Sequence, residues 1–94
     1  MVLYHFQKIR QTIMSEDQLE EFETIIHLIG KRIKTLRINA GYKSYEVFAW
    51  ENNLSRIQYW KMEKGTNCTL KSLYKILKIH NLTYQDFFNS LEDK

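Results

Sequence analysis

Between positions 56 and 64 lie five side chains that could read the edges of paired bases: Arg56, Ile57, Trp60, Lys61 and Lys64. On a helix turning by about 100° per residue, these five gather on one side. Tyr59 and Met62 fall on the other side, and Gln58 lies between. Arg and Lys donate hydrogen bonds to guanine O6 and N7, and an apolar side chain matches the thymine methyl in the major groove. Arg56, Ile57, Trp60 and Lys61 are therefore expected to face bases. Lys64, at the far end, is expected to meet a phosphate. Trp60 is the odd member, because a large aromatic on a charged face needs a surface to cover it. That surface is either the groove or the aromatic residues Tyr4 and Phe6 near the N-terminus.

Glu63 falls on the core-facing edge of the same helix, where an unpaired carboxylate is costly. Arg37 is the expected partner, and the pair is read as structural.

Such a face needs a helix held firmly at both ends. Ser55 is placed to cap its start and Gly65 to stop it. Just upstream, Ser44 caps a second short helix that carries Phe48 and Ala49 on its apolar side. Ala49 is small enough for another helix to cross closely. Asn53 adopts a left-handed turn at lower cost than most residues, and Leu54 then points inward. Two short helices joined by a tight turn, here over about 44–65, are the arrangement that lays its second helix in the DNA major groove.

The rest of the chain also reads as helix. Ser15 to Gln18 form a capping box with acidic residues in the first turn. Leu19, Phe22, Ile25, Ile26, Ile29, Ile33 and Leu36 then form an apolar stripe. It belongs either to one helix reaching about Asn39, with a possible bend near Gly30, or to two helices, and Gly41 is the left-handed stop. Thr69 caps a segment with apolar Leu70, Leu73, Ile76 and Leu77, ending at His80 and Asn81. Thr83 to Asp86 resemble another capping box before Phe87, Phe88 and Leu91. Residues 1–14 form an N-terminal arm in which Val2, Phe6, Ile9 and Ile13 have helical spacing.

A chain of 94 residues with 44% apolar content builds one small domain, and proline is absent. Strand-like alternation is weak, so an all-α class is expected, with residues 15–94 as a single domain. Net charge is +3, unevenly distributed. Residues 28–81 hold eleven Lys or Arg against Glu46, Glu51 and Glu63, a net of +8. Residues 1–27 net −3 and residues 82–94 net −2. The positive charge is thus concentrated around the two capped helices, as in a phosphate-backbone binder.

Cys68 is the lone cysteine, which excludes an internal disulfide and a thiol-built metal site. No apolar run approaches the roughly 18 residues of a membrane span, and no signal peptide is evident. A cytoplasmic location is expected. His5, His27 and His80 lack metal-ligand spacing, Cys68 has no neighbouring His, and no Gly-rich phosphate loop is present. No catalytic residue, metal or cofactor is expected.

On these residues the chain resembles the lambda-repressor-like, Cro-type (XRE) helix-turn-helix family, over about Leu28 to Phe88. The resemblance is carried by IGKRIKTLR, the helix capped by Ser44, Ser55-Arg56, Glu63-Lys64-Gly65 and NLTYQDFF, in that order. It implies a compact five-helix domain. By position it assigns base readout to Arg56, Ile57 and Lys61, phosphate contacts to Ser44, Tyr45, Thr66 and Asn67, and an ion pair to Arg37 and Glu63; Ser55, at the start of the same helix as the base-reading residues, is also expected to meet a phosphate. The chain departs from the family pattern at Asn53, where Gly is usual, at Tyr45, where Gln is common, and at the bulky Trp60.

The leading expectation is a sequence-specific regulator of transcription, a repressor that binds double-stranded DNA as a homodimer. One helix presents only a few side chains to base edges, so two half-sites are the usual answer. The alternative is a protein-interaction module, such as the antitoxin of a toxin–antitoxin pair, with a protein partner bound through residues 1–14 or 84–91.

Overall fold

A computed structural model describes residues 14–91, which form five α-helices and no strand. The helices are α1 (Glu16–Asn39), α2 (Tyr45–Glu51), α3 (Arg56–Lys64), α4 (Leu70–Ile79) and α5 (Tyr84–Leu91). Of the expected N-terminal arm only Met14 is described. It is exposed and precedes the first helix. The suggested cover of Trp60 by Tyr4 or Phe6 therefore lies outside the described residues.

Each helix begins where a short polar side chain replaces a missing backbone partner. Ser15 Oγ accepts from the Gln18 N–H at 3.1 Å, and the Ser15 N–H donates to Gln18 Oε1 at 3.0 Å, which completes the capping box. Ser44, Ser55 and Thr69 cap α2, α3 and α4 through their hydroxyl oxygens alone, each accepting from backbone N–H groups of the first turn. Thr83 Oγ1 accepts from the Asp86 N–H at 3.0 Å, so one half of the expected box forms there. The stops use left-handed residues: Gly41 at φ 98°, Asn53 at 58°, Gly65 at 93° and Asn81 at 60°.

α1 is one continuous helix, and Gly30 is not a break in it. Gly30 is buried where α1 crosses the end of α3. A Cβ there would lie 2.6 Å from the Glu63 carbonyl oxygen and 2.7 Å from that of Met62. The glycine thus permits a close backbone approach.

α1 packs on α3 and α5, α2 on α3, and α4 on α5. Between them lie Ile33, Phe48, Ala49, Tyr59, Met62, Leu73, Ile76, Leu77 and Phe87. Two expected apolar stripes are shorter than their spacing suggested. Along α1, the side chains packed on this core begin at Ile29, while Leu19 and Ile25 are exposed. On α4, Leu70 is 72% exposed because it occupies the first turn, before the helix meets the core. No helix of the described residues is long and apolar enough to cross a membrane.

His80 ends α4 with its ring stacked on Phe48, centroids 5.4 Å apart and planes 6° from parallel. Burial, and secondarily the nearby Arg32 charge, lower its pKa below the ordinary imidazole range. The sign of the consequence follows from linkage: below about pH 6.5 the unfolded chain takes up this proton more readily than the fold does. Stability is therefore expected to fall as pH drops through that window and to be insensitive to His80 above it. Denaturant titrations of wild type and His80→Phe between pH 5 and 8 measure this. The two chains should run parallel above pH 7 and diverge below it, and curves parallel throughout would remove the assignment.

Candidate nucleic-acid interface

α3 presents a core side and an outer side. Tyr59 and Met62 are buried, whereas Arg56, Ile57, Gln58, Trp60, Lys61 and Lys64 are all exposed. Gln58, ambiguous by spacing, therefore joins the outer face. The division arises because α1 and α2 both pack on α3 and leave its other side exposed.

The outer face carries contacts that spacing alone did not disclose. Lys64 Nζ sits 5.7 Å from the centre of the Trp60 ring, a cation–π arrangement. Trp60 thus carries a cation on a face it shares with Lys61. Arg56 Nη1 approaches Glu46 Oε2 at 3.8 Å, with both side chains more than half exposed. Such a pair is worth only about 0–1 kcal/mol, so a competing acceptor displaces it readily. It nevertheless keeps the Arg56 guanidinium beside the start of α2.

The expected phosphate-facing residues lie at helix ends. Ser44 Oγ accepts from the Glu46 and Val47 N–H groups at 3.1 and 3.2 Å, and Ser55 Oγ accepts from Gln58 at 3.3 Å. Both hydroxyls accept in these caps, which leaves their protons free to donate outward. Tyr45 begins α2 and is half-buried against the core. Thr66 differs: its hydroxyl donates to the Lys61 carbonyl at 3.0 Å, and its N–H donates to the same oxygen at 3.2 Å. Thr66 is therefore occupied in closing the end of α3, while Asn67 beside it is exposed.

The face is anchored to the body through Arg37 and Glu63. Arg37 Nε donates to Glu63 Oε2 at 2.7 Å, and Arg37 Nη2 to Glu63 Oε1 at 3.1 Å. Arg37 Nη1 donates to the carbonyls of Tyr42 at 2.8 Å and Lys43 at 2.7 Å. One guanidinium thus ties the end of α3 to the loop before α2. The pair is buried, at 5% and 6% side-chain exposure. The hydrogen bond to Glu63 raises the Arg37 pKa further above its usual value. Tyr59 lies alongside, and burial, more than the Glu63 carboxylate, raises the pKa of its hydroxyl. That hydroxyl completes no hydrogen bond of its own.

Two further apolar features are exposed: spacing pointed to Phe88, which cannot share the core side with its neighbour Phe87, but not to Trp50, nor to Leu70, Tyr74 and Tyr84 beside Phe88. Trp50 on α2 is 83% exposed and shares an open cleft with Val47, Leu54 and Ile57. Only the polar residues that follow it, Glu51 and Asn52, hinted that it lies off the core. Leu70, Tyr74, Tyr84 and Phe88 form an exposed apolar strip on α4 and α5. Tyr84 bridges it, 6.5 Å from Tyr74 and 6.4 Å from Phe88 between ring centres.

Among the described residues no cluster of three His, Cys, Asp or Glu side chains could hold a metal ion. Burial raises the Cys68 pKa, which makes its thiol a poor nucleophile. No known family model, no curated protein and no solved structure matches this chain.

Proposed function

We propose that this chain is a sequence-specific double-stranded DNA-binding regulator of the lambda-repressor-like type, with α2 and α3 as its helix-turn-helix. The observation that carries the reading is the outer face of α3. Arg56, Ile57, Trp60 and Lys61 stand exposed on a capped helix, inside a segment of net charge +8. An exposed, basic helix face has the width and the donors that the major groove accepts. Arg56 and Lys61 read purine edges, Ile57 meets a thymine methyl, and Lys64 meets the phosphate backbone. Ser44, Ser55 and Asn67, at helix ends around this face, donate to phosphates and set the register.

The protein acts as a dimer in this reading, and repression follows from occupancy of an operator. The exposed strip of Leu70, Tyr74, Tyr84 and Phe88 supports self-association, since such surface on a small domain marks an interaction site. The same strip is the observation that favours the alternative of a protein-interaction module such as an antitoxin.

Selection of bound sequences from a random duplex pool at several salt concentrations tests the reading. Log affinity is expected to fall linearly with log salt, because each phosphate contact releases counterions. Arg56→Ala and Lys61→Ala are expected to lose about 1–3 kcal/mol of discrimination each on the selected duplex. Lys64→Ala is expected to weaken all sequences alike and to reduce the salt slope by about 1. Equal losses on selected and random DNA for all three variants would reverse the assigned roles, and salt-independent binding would end the electrostatic argument.

A further inference from the structure

The exposed cleft between α2 and α3 has a composition that polar base edges alone do not explain. Its walls are apolar: Val47 is 47% exposed, Ile57 61% and Trp50 83%, with Leu54 behind them. Arg56 lines the same cleft, and Glu46 stands 3.8 Å from its guanidinium. A cation with free donors thus stands beside hydrocarbon on an exposed surface, with Glu46 and Ser55 as the other polar groups of the lining. The matching ligand presents a small apolar group directly beside strong hydrogen-bond acceptors.

In the major groove the one apolar group a base presents is a pyrimidine 5-methyl. Guanine O6 and N7 are the paired acceptors that Arg addresses. A 5-methylpyrimidine stacked next to guanine therefore places methyl and acceptors side by side. We propose that this cleft reads a 5-methylpyrimidine next to a guanine, with Arg56 on the guanine and Val47, Trp50 and Ile57 enclosing the methyl. The inference rests on the DNA-binding reading and deepens it, because it makes α2 a second contributor to specificity. Charge selects the occupant. The cleft shares Arg56 and Ile57 with the outer face of α3, which also exposes Lys61 and Lys64. A polyanion carrying methyl groups suits it better than an apolar peptide does.

The test uses the full chain and the best duplex recovered by selection. Each thymine is replaced in turn by deoxyuridine, which removes only the methyl. At one position beside a guanine the replacement is expected to weaken binding about four-fold, the value of one buried methyl. Substituting 5-methylcytosine at that position, with guanine opposite, should recover part of what plain cytosine loses. The penalty for deoxyuridine should shrink in Trp50→Ala, Val47→Ala and Ile57→Ala. These three positions are exposed, and a thermal melt of each variant checks that folding is intact. Specific binding that is indifferent to deoxyuridine at every thymine sinks this inference and leaves the DNA-binding reading intact. A penalty that persists undiminished in all three variants places the methyl elsewhere and overturns the cleft. A chain that selects no duplex at any salt concentration overturns both.

Discussion

Glu63→Ala is expected to lower stability by about 3–5 kcal/mol, the usual consequence of removing one member of a buried ion pair. Against the roughly 5–15 kcal/mol total of a small domain, that loss leaves little margin. The size follows from geometry. Both side chains are about 95% covered, and two hydrogen bonds join them. Without the carboxylate, the Arg37 guanidinium keeps the Tyr42 and Lys43 carbonyls but remains buried without a counter-charge. Urea unfolding of Glu63→Ala, Arg37→Ala and the double variant measures the effect. The double variant should be less destabilised than the sum of the singles, because it removes the orphaned charge. A loss below about 1 kcal/mol in Glu63→Ala would place the pair in the class of exposed ion pairs. Glu46→Ala, which breaks the exposed pair with Arg56, supplies that comparison within the same protein.

Gly30→Ala is expected to destabilise, and here two physical arguments predict opposite signs. Helix propensity alone favours the change by about 1 kcal/mol, since Gly is a poor helix former and Gly30 lies mid-helix. The crossing with α3 opposes it more strongly. The added methyl would lie within 2.7 Å of two backbone carbonyl oxygens, those of Met62 and Glu63. Backbone cannot swing aside as a flexible side chain does, so α1 and the end of α3 must separate. Overpacking of this kind costs about 1–3 kcal/mol, occasionally more. Separation there also loosens the Arg37–Glu63 contact, which lies at the same crossing. A Gly30→Ala chain that melts at or above the wild-type temperature would show that α1 and α3 do not approach this closely. Gly41→Ala is a useful contrast: open space surrounds it, and its penalty comes from φ 98° alone.

Much of the local architecture is legible in the sequence because it is specified within a turn of each residue. Ser15, Ser44, Ser55 and Thr69 satisfy N–H groups two or three residues ahead. Asn53 and Asn81 accept the left-handed backbone that ends their helices. The two sides of α3 follow from helical periodicity, and its core side turns inward because Tyr59 and Met62 have nowhere else to be covered. The pairing of Arg37 with Glu63 was readable for a different reason: a carboxylate at a core edge demands a cation, and Arg37, near the end of α1, is also the position that the family resemblance assigns to it.

What the sequence could not supply is the relative placement of surfaces far apart in the chain. The role of Gly30 depends on where α1 crosses α3, and only the assembled helices decide whether a mid-helix glycine marks a bend or a contact. The stripe on α1 continues to Leu19 at helical spacing, yet the side chains packed on the core begin at Ile29. Periodicity reports that a face is apolar; it does not report what lies opposite. The same reason separates Leu70, exposed, from Leu73, buried three residues later. It also accounts for the Trp50 cleft, which exists only because the Asn53 turn brings the outer faces of α2 and α3 together. Short-range hydrogen bonding and periodicity thus determined most helix starts and stops and the outward side of α3, but not whether the stripe through Gly30 was one helix or two. Which apolar faces meet, which stay open and which charges become neighbours was decided by tertiary packing, because burial depends on the partner surface as well as on the residue.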